Sequence, residues 1–197
     1  MELLKKEVHT NVVKIRKEVQ ITVDEDLNVP DSKPDIEKLI QSKGEFRVSQ
    51  IEVFHDKIRL KGEFLFRCLY ITGNAGPMLG SFSHSFDMEE YINIDGVKPT
   101  DIVKAEVDLD DLNVLFINSR KLGVRGLLTF HIVVNEIQLI QGAVQPQTET
   151  GVECLYKKLN VTQLVVNKKD TTRVKGEVTI MASKPNVRAI LWEAIEL

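Results

Sequence analysis

The chain has 197 residues, of which 43% are hydrophobic and 28% charged, with a formal net charge of −3. That length suits one domain, or one domain plus part of a second, and it can bury a core without help from disulfides or metals. The near-balanced charge offers no basic field to a phosphate backbone, which argues against nucleic acid, and no apolar run approaches the roughly 20 residues of a membrane-spanning helix.

In chain order, the N-terminal stretch MELLKKEVHTNVVKIRKEV scatters charge among apolar residues and is not a signal peptide. The expectation is a soluble cytoplasmic protein, or the soluble piece of a longer one. In DEDLNVPDSKPD, Asp24, Asp26 and Asn28 alternate and Asp35 stands twelfth, as in a calcium loop. The sixth position is Val29 where the sharp turn needs glycine, and no closing glutamate follows, so a solvated loop is the better reading. Next, SKPDIEKLI predicts a short helix. Ser32 is a plausible N-cap, Pro34 sits in the first turn, and Ile36, Leu39 and Ile40 recur at i, i+3 and i+4.

From residue 50 onward, period-two alternation predicts strands. In KIRLKGEFLFRCLY, Ile58, Leu60, Gly62, Phe64, Phe66, Cys68 and Tyr70 fall on one face. The glycine-rich stretch Gly73–Gly80 resumes alternation instead of opening a helix, so it reads as a long hairpin loop and not a dinucleotide fingerprint. Of the carboxylates in EVDLDDLNV, Asp108 and Asp110 share an outward strand face, Asp111 begins a turn, and no pocket is implied that would give them acid–base work. Three segments, over residues 50–64, 113–128 and 163–178, read as strand, polar turn, strand. Each has a glycine after a basic residue in its second strand: Gly62, Gly126 and Gly176. Glycine inside a strand signals a bulge or the close approach of another backbone.

No histidine stands at a zinc-ligand spacing, Ser83, His84, Ser85 and Asp87 share one strand and cannot form a triad, and no Walker motif or nucleophile elbow is present. No catalytic, metal or cofactor-binding residue is therefore assigned. Cys68 and Cys154 alternate with apolar neighbours and read as buried structural thiols.

After the polar stretch 141–151, which reads as a linker, the chain echoes its own beginning. Residues from about Lys5 to Ile40 return, with one offset adjustment, as about Lys157 to Leu191. Ser183, Lys184 and Pro185 repeat Ser32, Lys33 and Pro34. The expected organisation is a first module over residues 1–145, and the opening hairpin and helix of a second over 152–197, cut from a longer tandem protein and packed on the first. The fold expected is mainly β, with antiparallel hairpins in a sandwich or packed sheets and one short helix per module.

The order VPDSKPDIEKLI, RVSQIEVFHDKIRLKGEFLFRCLYIT, ASKPNVRAILW resembles the SPOCS domain of endospore-forming Firmicutes, found in the N-terminal part of SipL-like, LysM-containing proteins. The residues carrying the resemblance are Pro30, Ser32, Lys33, Pro34, Asp35, Gly62, Tyr70, Gly126, Gly176, Ser183, Lys184 and Pro185, all with expected structural roles. The resemblance implies a non-catalytic module of spore-envelope (coat) assembly. It would be made in the mother-cell cytoplasm, recruited to the forespore surface, and would contact coat or envelope proteins. The contact that the LysM module makes in those proteins is not assigned, because no LysM-like segment is read here. Self-association is left open. The alternative is a ligand-binding β-module for glycan or peptidoglycan fragments, with the Gly73–Gly80 loop at its rim. An aromatic content of 6% speaks against the stacking platform such a site would use.

Overall fold

The computed structural model describes residues 3–73, 78–146, 155, 157–158, 160–168, 170–185, 187 and 189–193. Six strands are formed among the described residues: β1 (Leu3–Asn28), β2 (Ile36–Phe54), β3 (Lys57–Thr72), β4 (Met78–Asn93), β5 (Ile102–Asn118) and β6 (Lys121–Pro146). They form two antiparallel three-stranded sheets, in the orders β2-β3-β4 and β1-β6-β5. The expected class, mainly β with antiparallel packed sheets, is what the chain adopts.

The central strands supply most of the core because both their edges are paired and one face is covered. All seven residues assigned to one face of β3, from Ile58 to Tyr70, point inward, and the six apolar side chains among them are buried. Across from them lie Leu122, Val124, Leu128, Phe130, Ile132 and Val134 of β6, with Val23 and Leu27 of β1. The sheets come closest along β2 and β5. There Phe46 meets Phe130 edge-on, 5.4 Å between centroids, and Gly44 lets the Phe64 ring and Leu109 approach.

The short helix expected at Ser32–Ile40 is not formed. Residues 31–33 make a turn closed by Lys33 N–H donating to Pro30 O (2.8 Å), and Ile36 already begins β2. The misleading signal has a physical origin. The inward residues of β2 are 36, 39, 42, 44, 46, 48, 51 and 53. Each step of three coincides with a register shift against β3, at Ile36/Lys38, Leu39/Gln41 and Val48/Gln50. A bulge adds one residue to one strand only, so period two locally becomes three and imitates a helical face. No helix is formed among the described residues of the second copy either. Its turn repeats the first, with Lys184 N–H donating to Met181 O at 2.9 Å.

Two other expectations change. Asp111 does not begin a turn: β5 runs through it, and the break in alternation is a bulge between Leu109 and Asp111. The hairpins over 50–64 and 113–128 are present, with tips at His55-Asp56 and Ser119-Arg120. The described residues of 163–178 carry no strand. Residues 74–77 of the glycine-rich loop, and Cys154, lie outside the described residues.

The two sheets are related to each other. Asn28 faces Lys121 in β1–β6, and Asn93 faces Lys57 in β4–β3; Val23 faces Gly126, and Met88 faces Gly62. Val29 N–H donates to Arg120 O, and Ile94 N–H donates to Asp56 O, both at 2.8 Å. The fold is thus two similar units, β1-β2-β3 and β4-β5-β6, in which the first strand of each completes the sheet of the other.

Candidate functional site

Two places stand apart from the sandwich core. The first is the turn between β1 and β2, held by the tip of the β5–β6 hairpin. Asn118 Oδ1 accepts the Arg120 N–H (2.9 Å), which fixes the tip and aims the Arg120 side chain across to the other connection. Its guanidinium donates to Lys33 O (2.7 Å), Val29 O (3.1 Å), Asp35 Oδ1 (3.2 Å) and Asp31 Oδ1 (3.2 Å). Ser119 Oγ donates to Asp35 Oδ2 (3.1 Å), and Tyr70 Oη donates to Pro34 O (3.2 Å). A rigid five-donor fork suits two carboxylates and two carbonyls at once, which a lysine could not satisfy.

This cluster gathers the motif residues of the first turn around a role in structure. Asp35 anchors the clamp and Tyr70 ties β3 to it. Pro30, Ser32 and Lys33 form the turn's outer rim, beside Arg67 and Ile190–Glu193 of the second copy. Burial pushes the Tyr70 phenol above its ordinary value. Gly62 lies under the Phe46 ring, and Phe64 lies over Gly44 in return. Gly126 is looser, with Leu109 Cδ1 at 3.4 Å from where a Cβ would stand, and Gly176 has nothing within 4 Å. Ser183, Lys184 and Pro185 lie at the second turn, where Lys184 N–H donates to Met181 O at 2.9 Å.

Other candidate groups are engaged structurally. Asp24 pairs with Arg125 and Asp26 with Lys121. His131 bridges Glu18 and Asp108 on the sheet surface, and Asp110 accepts from Thr129. Cys68 is fully buried, and burial pushes its thiol up to about 12, so it is neither a nucleophile nor a ligand at neutral pH. Among the described residues no group of three or more His, Cys, Asp or Glu could hold a metal ion, and no helix is long and apolar enough to cross a membrane. Of the exposed aromatics Phe54, Tyr91 and Phe116, the first two both flank Lys57, with its Nζ 5.8 Å from each ring centroid.

The second place is an arm. β5 covers β6 only as far as the pair Ile102–Asn135, whereas β1 and β6 continue to pair out to Leu3–Pro146. Residues 3–13 and 136–146 therefore form a two-stranded ribbon beyond the third strand, roughly 35 Å long at ordinary strand rise. Among the described residues no strand packs on either face, and residues 160–164 lie beside Thr10 and Asn11, yet the ribbon is rich in exposed apolar side chains. Ile137 is 45% exposed, Leu139 48% and Ile140 47%, with Leu4, Val12, Val13 and Val144 exposed as well. In register, Ile137, Leu139 and Val13 share one face, and Val8, Val12 and Ile140 the other. An isolated ribbon of this kind is marginal in water, and contiguous exposed apolar surface marks an interaction site.

Neither Arg120 nor the arm was singled out by sequence reasoning. The hairpin tip NSRK was legible as a turn, but nothing local says where its arginine reaches. The arm's signal was the alternation of Ile137 and Leu139, which is out of phase with the core residues Leu128, Phe130, Ile132 and Val134 and so falls on the opposite face of β6.

In comparison with known proteins, the family model described as SipL, SPOCS domain matches residues 35–117. That span runs from the clamped Asp35 through β2, β3 and β4 to the end of β5. It agrees with the family resemblance over a narrower stretch, which includes Asp35, Gly62 and Tyr70 of the motif residues. No curated protein and no solved structure matches the chain.

Proposed function

From a chain whose residues 35–117 belong to the SPOCS domain family, we propose a non-catalytic interaction module of a sporulation protein, one that contacts spore-envelope (coat) proteins during assembly. The family match supports the sporulation setting. The observation that carries the interaction role is the β1–β6 arm, whose Ile137, Leu139 and Ile140 stand in water on a ribbon too thin to have a core. A surface of this kind is stabilised when a partner covers it: each such side chain fully buried contributes roughly 1.5–3 kcal/mol, offset by the cost of association. Polar neighbours on the same ribbon, Gln138, Gln141 and His9, supply the hydrogen-bonding rim of a protein–protein contact.

The glycan-binding alternative gains no support of this kind. Phe64, Phe66, Tyr70, Phe82 and Phe130 are spent in the core, and Phe54 and Tyr91 have a lysine between them.

The test is localisation. The chain fused to a fluorescent protein concentrates at the forespore surface in sporulating cells, and the variant Ile137→Thr, Leu139→Thr, Ile140→Thr, whose sandwich melts as the parent does, stays diffuse in the mother cell. Undisturbed recruitment of a well-folded arm variant would refute the proposed role of the arm.

A further inference from the structure

We infer that the edge of β6 occupied by β1 is a docking site for a second occupant, residues 157–180 of the same chain, so that two strands compete for one edge. The argument starts from equivalence in the structure. The offset between the two copies is 152 at Val13 (Val165) and 151 at Val23 (Val174). The change falls where β1 carries an extra residue, at the register shift between Val13 and Ile15. With that bulge removed, the three buried residues of β1 and its turn, Val23, Leu27 and Val29, correspond to Val174, Val178 and Ile180. All three copies are apolar, and all three stand unburied: Val174 is 88% exposed, Val178 92% and Ile180 49%. Three apolar residues that repeat the buried spacing of β1 and stand in water are the pattern of a strand end without its sheet.

The connection permits the exchange. β1 is antiparallel to β6, and Lys5 faces Ala143 close to the end of β6. Ten residues separate that end from Lys157, the counterpart of Lys5, so the second copy is tethered near the edge at high effective concentration. One contact already lies alongside the arm: Leu164 N–H donates to His9 O at 2.9 Å.

The structure also says why β1 holds the edge. Its copy keeps apolar residues for Ile15, Val23, Leu27 and Val29 but puts Asp170 and Thr172 in place of Val19 and Ile21, and it loses the three carboxylates that pair with Arg120 and Arg125. Asp24, which pairs with Arg125, becomes Lys175; Asp31 and Asp35, which hold Arg120, become Ala182 and Asn186. A lysine opposite Arg125 repels, and the clamp loses both anionic acceptors. The bias is electrostatic at the arginines, where it is adjustable, and hydrophobic at Asp170 and Thr172, which lack the core packing of Val19 and Ile21. When the copy docks, β1 and its half of the arm are released, and the arm is rebuilt with different side chains.

Disulfide trapping in the full chain, in a Cys154→Ser background, tests this. Arg125→Cys is combined with Asp24→Cys, reporting β1, or with Lys175→Cys, reporting the copy. The expected result is an intramolecular 125–175 disulfide on mild oxidation. It should form at least tenfold faster when Asp31→Ala and Asp35→Asn make the first turn resemble the second. Absence of the 125–175 bond in both turn backgrounds, under conditions where 24–125 closes fully, overturns the proposal whether or not the turn variant weakens folding. Disulfide-linked dimers through 125–175 would assign the edge to a second copy of the chain and overturn the exchange within one chain.

Discussion

Arg120 carries the strongest single-residue claim. Its side chain is the common donor to Val29, Asp31, Lys33 and Asp35, joining the β5–β6 tip to the β1–β2 turn. Arg120→Ala leaves two backbone carbonyls and two carboxylates without that donor, and is expected to cost about 2–4 kcal/mol in urea unfolding. Arg120→Lys recovers only part, because a point charge cannot serve four acceptors spread around the turn. Asp101 plays a comparable part between β1 and the connection into β5. Burial opposes its ionisation, but the Lys14 ammonium at 2.8 Å and the Lys98 N–H at 2.9 Å outweigh that, and its carboxyl titrates below the ordinary aspartate range. A depressed folded value means that the stabilisation is full above the unfolded value of about 4, and is lost as pH falls through the lower folded value. Asp101→Asn is therefore expected to be about 1–3 kcal/mol less stable than the parent at pH 7. The two unfolding curves should converge in acid, and a difference that persists unchanged at low pH would contradict this account.

At the scale of elements, the paired strands show why glycines that look alike in sequence are not equivalent. Gly62 and Gly126 occupy matching registers, opposite Met88 and Val23. A methyl group at Gly62 would meet the Phe46 ring at 2.3 Å and Arg47 O at 2.6 Å, whereas at Gly126 the nearest atom is an ordinary 3.4 Å away. Gly62→Ala should cost about 1–3 kcal/mol through overpacking, and Gly126→Ala should stay within about 0.5 kcal/mol, since the smaller unfolded-state entropy offsets minor crowding. Equal losses in thermal unfolding would show that the shared pattern, and not the covering ring, sets the cost. The same strands mark the limit of what the sequence reveals. β3 was legible residue by residue because it is regular and covered on one face. β2 was legible only from residue 50, because three bulges turned its inward spacing from two to three and dressed its start as a helix. The β5–β6 tip was visible as a turn, but the reach of Arg120 across to Asp35 is a tertiary fact with no local signature. The arm is harder still, since Ile137 and Leu139 alternate like core residues but fall on the opposite face of β6, beyond the point where β5 begins at Ile102.

For the whole molecule, two similar units exchange first strands to close a sandwich over residues 3–146, and the extra length of β1 and β6 has no partner within it. The sandwich supplies rigidity through its clamp and aromatic-covered glycines; the arm supplies the surface that a second protein can cover. The account's central claim is that this arm is where the module meets other proteins. A photoreactive amino acid at Leu139, compared with the same probe at Glu63 on the outer face of β3, tests it most directly in sporulating cells. The account predicts a covalent adduct to a spore-envelope protein from position 139, lost when Ile137 and Ile140 are changed to threonine, and none from position 63. Adducts from position 63 with none from position 139 would contradict it.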